Sequence, residues 1–356
     1  MEEYLSTVNN VLRTGAYKPN RTAVDTISGF SKHYQVDVSA GHPLLTTKKM
    51  DGFRWNSMLH ELVWYLSGEE HIRTLREETK IWDAWADDQG RLDTAYGRFW
   101  RRFPIPDADD ALPGETWAGE TGTKWDDNPD VDPSRWVNEE GDGRSTFDQI
   151  QYVIDMLNEN PKSRRLVVNA WNPGNATVST LPPCHYTFVF NVQGDELNVH
   201  LTQRSADLAL GVPFNIACYS LLLKIIAQRT GFKPGTFSHT LVDAHVYCGD
   251  GDRGEWYGEN LDELQEKLYA VQSRQNDVKA YDEVADWIEA NAPEGATDPR
   301  GKPYDHVPGL LRQLTREPKQ RPNIRVADKP LDELEADDIE LENYESHPGI
   351  DFGVAE

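Results

Sequence analysis

Between Pro213 and Thr230 the chain reads PFNIACYSLLLKIIAQRT, which is apolar on most faces of a helix. A helix with so little polar surface is expected at the centre of a packed domain, with Pro213 in its first turn and Gly231 as its stop. The remaining residues must then surround it. Hydrophobic residues make up 38% of the 356, enough for the core of one large domain or two modest ones.

The surrounding elements follow from periodicity. Tyr4, Leu5, Val8, Val11 and Leu12 recur at helical spacing over residues 2–14, with Gly15 as cap, and a second helix runs from about Phe53 to Ser67, closed by Gly68. Its segment LHELVWYL is apolar nearly all round, yet Glu61 sits in the middle of it. Phe147, Ile150, Val153, Ile154 and Leu157 mark a third helix that stops before Pro161. Strand patterns occupy Thr26–Val38, Arg165–Trp171, His185–Val192 and Glu196–Arg204, the last two joined by a turn at Gln193-Gly194-Asp195. Further strands are expected at Thr236–Tyr247, Asn323–Val326 and Ile339–Tyr344. Helices and strands mix without strict alternation, an α+β pattern.

Two stretches interrupt that pattern. Asp107–Arg144 is rich in Asp, Glu, Gly and Pro, with Trp117, Trp125 and Trp136 scattered through it, and Gly249–Asp305 holds helices near Leu261–Gln272 and Tyr281–Ala290. Neither has the apolar residues for its own core. Both are expected as acidic surface insertions, at about 107–144 and 249–305, in one domain spanning residues 1–356.

Charge narrows the function classes. With 36 basic against 60 acidic residues the net charge is −24, which repels nucleic acid and anionic membranes at long range. Together with a mean hydropathy of −0.67, this reads either as adaptation to concentrated salt or as an ordinary acidic protein. The start, MEEYLSTVNN, lacks a signal peptide's basic flank and apolar run, and no apolar stretch reads as long enough to span a bilayer, so a cytoplasmic location is expected. Cys184, Cys218 and Cys248 are odd in number and widely spaced, which supports free thiols over a disulfide framework or a zinc site. Phosphate-loop, dinucleotide, zinc-protease and serine-hydrolase motifs are missing from the sequence.

The residues that could do chemistry centre on Leu181-Pro182-Pro183-Cys184-His185, where a rigid turn presents a thiol at the start of a strand. Cys218, inside the apolar helix, reads as a small buried hydrophobe. Gln203-Arg204-Ser205-Ala206-Asp207 lies on the strand paired with that of Cys184, and a neighbouring Arg lowers a thiol's pKa. Arg21, Arg164, Arg165 and Arg204 are candidate phosphate ligands, because guanidinium groups grip phosphate bidentately. Glu61 is either a carboxylate poised by desolvation for proton transfer or the partner of a buried Arg. Trp82 and Trp85 are either core or faces for stacking a flat heterocycle.

Taken together the segments resemble the thymidylate synthase family. The resemblance is carried by RT at 21–22, PLLTTKK at 43–49, HELVWYLSG at 60–68, IWDAWAD at 81–87 and YGRFWR at 96–101. It continues in SRRLVVNAWNP at 163–173, LPPCH at 181–185, QRSADLALGVPFNIA at 203–217, DAHVY at 243–247 and HPGI at 347–350. It implies a single large α+β domain with a mixed β-sheet packed by a long buried helix, one sheet face forming a homodimer interface. It also implies reductive methylation of dUMP to dTMP with 5,10-methylenetetrahydrofolate as cosubstrate and no metal, Cys184 adding covalently to uracil C6.

By the same resemblance Glu61, Tyr96, His185, Asp207 and Asn215 join Cys184 as catalytic residues. The implied dUMP ligands are Arg21, Gln203, Arg204, Ser205, Asn215, His245 and Tyr247, with Arg164 and Arg165 reaching the partner subunit's site. Folate contacts are implied for Ile81, Trp82, Leu181, Asp207, Gly211, Phe214 and Ala355, with Lys48 meeting the anionic glutamate tail. The sequence departs from the family pattern at Ala23-Val24-Asp25, in the interruption after Tyr247 that moves the expected following His to His306, and in the FGVAE terminus. Two alternatives stay open: a pyrimidine nucleotide hydroxymethylase, which adds water in place of hydride, and a non-catalytic nucleotide-binding regulator.

Overall fold

The computed structural model describes residues 1–20, 23–92, 95–105, 133–141, 143–271 and 278–355. Its helices are α1 (Glu2–Thr14), α2 (Phe53–Ser67), α3 (Leu75–Glu78), α4 (Tyr96–Arg101) and α5 (Gln149–Glu159), then α6 (Pro173–Ala176), α7 (Gly211–Thr230), α8 (Gly251–Ala270), α9 (Val278–Asn291) and α10 (Val307–Leu314). The strands are β1 (Ala16–Lys18), β2 (Val24–Asp37), β3 (Phe103–Pro104), β4 (Val137–Glu139), β5 (Ser145–Phe147) and β6 (Val167–Asn169), then β7 (His185–Gln193), β8 (Glu196–Asp207), β9 (Lys233–Asp250), β10 (Asn323–Val326) and β11 (Ile339–Glu342).

The main sheet runs β1-β2-β9-β8-β7-β6 and is mixed, because β8 and β9 pair in parallel while the other neighbours are antiparallel. Across it lies α7, whose residues from Val212 to Ala227 are mostly buried against β8, β9, α2 and α5. Contrary to the sequence reading, α7 is long and apolar enough to cross a membrane by length and composition; 78% of that stretch is buried inside the protein. Pro213 is its third residue, tolerated because the first N–H groups of a helix have no intrahelical partner. Gly231 ends it in the left-handed conformation at φ 73°. Gly15 caps α1 for another reason: a Cβ there would lie 2.5 Å from the Val11 carbonyl oxygen.

The segment expected as a second surface insertion shares the main core instead. Helices α8 and α9 pack on α1, β9 and α10, and they bury Tyr257, Leu264, Leu268, Tyr281, Val284 and Ile288. Helix α8 starts ten residues before the expected Leu261 because GDRGEWYG is not a loop. Its glycines allow close packing: a Cβ at Gly254 would meet Asp25 at 2.6 Å, and one at Gly258 would meet Tyr17 at 2.8 Å. In the first expected insertion, Trp117 and Trp125 fall outside the described residues, while Trp136 is buried against Tyr152 beside the small β3-β5-β4 sheet.

Candidate active site

A cavity of about 740 Å³ opens between the N-terminal turns of α7, the α2 face around Glu61, the Lys80–Trp85 segment and the C-terminal residues. The C-terminal ends of β8 and β9 deliver Asp207 and Tyr247 to it, the start of β7 delivers His185, and α7 delivers Gly211, Phe214 and Asn215. Ile81, Trp82 and Ala355 complete the group of expected residues on its wall.

Cys184 precedes His185 and is half-buried beside this wall. Pairing of β7 with β8 sets His185 opposite Gln203, and the Arg204 N–H donates to the Cys184 carbonyl at 2.8 Å. Arg204 therefore folds back over the LPPC turn, donating to the carbonyls of Pro183 at 3.0 Å and Pro182 at 2.7 Å, with Nη2 3.6 Å from Cys184 Sγ. The expected lowering of the thiol pKa does not follow. Burial pushes the thiol up by more than Arg204 pulls it down, since this guanidinium is shared among three acceptors. Tyr96 Oη accepts the Cys184 backbone N–H at 2.7 Å, and its ring stacks on His185 at 3.8 Å and 3°. His185 Nδ1 meets Tyr219 Oη at 2.7 Å, and burial lowers the ring pKa to about 3, so the imidazole is neutral at ordinary pH.

Glu61 faces the cavity from inside the apolar stretch of α2, and of its two sequence readings the proton-transfer one fits. Burial raises its pKa to about 7, and what it accepts at Oε1 is the Trp82 indole N–H at 2.8 Å, not an Arg. Trp82 in turn meets Trp64, Trp85 and Tyr96 ring to ring, which leaves it as both wall and hydrogen-bond donor. Asp207 Oδ1 accepts from the Ala209 N–H at 2.8 Å. His245 lies next to Tyr247, ring centroids 5.2 Å apart, and Ser205 is set opposite Asp243 by the β8–β9 register.

Several expected residues are placed elsewhere. Gln203 is 3% exposed and its amide is committed to His239 and the Ser205 carbonyl, in a buried chain that continues to Tyr34. Lys48 does not reach outward: it is 3% exposed, donates to the Ala209 carbonyl, lies 5.0 Å over the Phe352 ring, and burial lowers its pKa to about 7. Leu181 is half-buried outside the cavity wall, and Arg164 and Arg165 are exposed ahead of β6, away from it. Arg21 lies outside the described residues. The acid at the departure after it, Asp25, accepts from Tyr17 Oη at 2.6 Å and the Asn20 N–H at 3.1 Å, so it braces the approach to that loop.

Sequence reasoning missed part of the wall. Arg54, Lys80 and the turn Asp298–Lys302 line the cavity with nothing in their local sequence to mark them, since the turn ends a segment read as surface, and Tyr65 lines it from within the HELVWYLSG stretch, where the sequence reading assigns it no role. Of the FGVAE terminus, Phe352, Val354 and Ala355 line the cavity, whereas Glu356 is outside the described residues. His306 takes the place expected after Tyr247, its N–H donating to the Tyr247 carbonyl at 2.9 Å.

Aromatic walls with a few convergent polar groups suit a flat heterocycle, and the basic side chains of Arg54 and Lys80 suit an anionic tail. Among the described residues no group of three or more His, Cys, Asp or Glu side chains is placed to hold a metal ion. Compared with known proteins, residues 2–356 match the thymidylate synthase family. The chain is also 62% identical over 349 residues to a thymidylate synthase of Haloferax volcanii, covering 98% of this chain and 95% of that relative.

Proposed function

The chain belongs to the thymidylate synthase family, and we propose that Cys184, Glu61, Tyr96, His185, Asp207 and Asn215 carry that family's chemistry here. The reaction is the reductive methylation of dUMP to dTMP. Methylenetetrahydrofolate supplies the one-carbon unit and the hydride, and leaves as dihydrofolate.

Cys184 adds through its thiolate to C6 of the uracil, which makes C5 nucleophilic. Burial raises the thiol pKa, so the thiolate that attacks C6 is stabilised by the cation nearest to it, Arg204, whose Nη2 stands 3.6 Å from Sγ. Asn215 reads the uracil N3–H and O4 with its amide acceptor and donor. Glu61, with a pKa of about 7, can hold or release a proton near neutrality, as loss of the C5 proton and protonation of O4 require. The buried neutral His185 and the phenol of Tyr96 keep that proton traffic in place and exclude water. Trp82 and Phe214 stack the folate ring, and Asp207 accepts from it. Because Lys48 is buried, Arg54 and Lys80 are better placed for the glutamate tail.

The observation that carries this reading is a single cavity holding Glu61, Asp207 and Asn215 beside the Cys184-His185 pair. A homodimer belongs to the proposal: Arg164 and Arg165 are exposed and away from their own cavity, Phe30 is 81% exposed on β2, and a partner's phosphate site would use these arginines. A cytoplasmic location is likewise proposed, in keeping with three free cysteines. The test is turnover of dUMP with methylenetetrahydrofolate, with dTMP and dihydrofolate expected in equal amounts. A hydroxymethylated product with the folate still reduced would favour the hydroxymethylase.

A further inference from the structure

We propose that α8 clamps the C-terminal segment: Arg253 and Tyr257, by holding Asp305, are positioning residues for His306 and for residues 352–355 over the cavity. The proposal rests on the reading of that cavity as the folate site. Arg253 Nε donates to Asp305 Oδ2 at 2.7 Å, and Tyr257 Oη donates to the same oxygen at 2.8 Å. Asp305 is 6% exposed and its other oxygen accepts the Val307 N–H at 2.9 Å, so among the described residues the buried carboxylate is held by these three donors. Arg253 is fixed in turn, donating to the Pro293 carbonyl at 2.6 Å and packing on Gly295, where a Cβ would come within 2.5 Å of it.

The next residue, His306, is fully buried and meets three parts of the site. Its N–H donates to the Tyr247 carbonyl, and its Nε2 stands 2.9 Å from the Gly353 carbonyl. A carbonyl only accepts, so the hydrogen-bond network assigns the proton to Nε2, leaving Nδ1 3.8 Å from Asp207 Oδ1. The Phe352 ring packs on the imidazole at 4.9 Å. The Gly353 N–H donates to the Pro303 carbonyl at 2.8 Å, so the segment between α9 and His306 holds the terminus from its other side. Loosening Asp305 lowers the population of the closed terminus, and apparent folate affinity falls by that fraction. None of the proposed dUMP ligands belongs to residues 352–355; Tyr247 meets His306 through its backbone carbonyl and, at 5.5 Å, its ring, and His306 itself stays in place as the N-cap residue of α10.

Arg253→Met leaves Asp305 without its counter-charge. It is expected to raise the KM for methylenetetrahydrofolate about tenfold while the Kd for dUMP stays within about threefold. Adding Asp305→Asn, a neutral group that needs no guanidinium, should bring the folate KM back to within about threefold of wild type. Tyr257→Phe, which keeps the ring and is the milder variant, should raise the same KM about threefold. Hydrogen exchange in residues 350–355 should quicken in both single variants, a readout independent of turnover. Unchanged exchange and folate KM in Tyr257→Phe, or dUMP binding that weakens in step with the folate KM, would overturn the clamp. A wild-type protein that turns over no dUMP, with exchange still quickened in the variants, would overturn the functional reading and leave the clamp supported.

Discussion

Replacing Trp82 with Phe removes the one indole donor to Glu61 while keeping an aromatic wall. In the wild type that N–H reaches Oε1 at 2.8 Å and holds the carboxyl, raised by burial, at about 7. A hydrogen bond to a charged group contributes about 1.5–3 kcal/mol, and one pKa unit corresponds to about 1.36 kcal/mol. The donor stabilises the ionised form, so its loss raises the Glu61 pKa, by roughly one to two units, to about 8–9. The assay is kcat/KM for methylenetetrahydrofolate as a function of pH, reading the midpoint of the limb near 7 and not its height, since the folate also stacks on this side chain. Trp82→Phe should move that midpoint to higher pH, and Glu61→Gln should remove the limb. A midpoint that stays put, or moves to lower pH, would refute Glu61 as the titrating group.

Cys218→Ala should cost about 1 kcal/mol of stability, because it opens a small void in α7, and should leave kcat within about threefold; thermal melting and turnover check the two halves. Asn215→Asp replaces the donor facing uracil O4 with an acceptor, a mismatch of ~1–3 kcal/mol, so kcat/KM for dUMP should fall about ten- to a hundredfold with relative preference moving toward dCMP. Melting temperature should rise with KCl, since the self-repulsion of a −24 surface is screened over about 10 Å at 0.1 M and about 3 Å at 1 M; a flat response would count against salt adaptation.

The legible parts of the fold are those where composition leaves one outcome. Residues 213–230 read as a helix apolar on most faces, which the fold buries, and the alternation through Glu196–Asp207 reads as a half-buried strand. Glycine misled the reading in α8, because a sequence does not distinguish a glycine that turns the chain from Gly254 and Gly258, which admit Asp25 and Tyr17. In the site, Cys184 stood out through its chemistry and Glu61 as an odd polar residue in an apolar run, whereas Asn215 came only from the resemblance. Arg54, Lys80 and the turn at Asp298–Lys302 did not stand out, since their role comes from tertiary placement alone. Gln203 and Lys48 show the converse: polar side chains within matching motifs, whose burial and internal hydrogen bonds no local sequence signal announces. The thiol followed the same logic, because a nearby Arg can be read from sequence but the larger desolvation of Cys184 cannot.

The most direct measurement identifies which atom of the protein bonds to the nucleotide. With 5-fluoro-dUMP and methylenetetrahydrofolate the fluorine at C5 cannot leave as the proton does, so the reaction halts with the enzyme still attached to C6. Peptide mass spectrometry of the denatured mixture should then find nucleotide and folate together on the peptide containing Cys184, and no label at all in Cys184→Ser. Label on Cys218 or Cys248, or an unlabelled wild-type protein that still turns over dUMP, would contradict the assignment of Cys184 as the nucleophile.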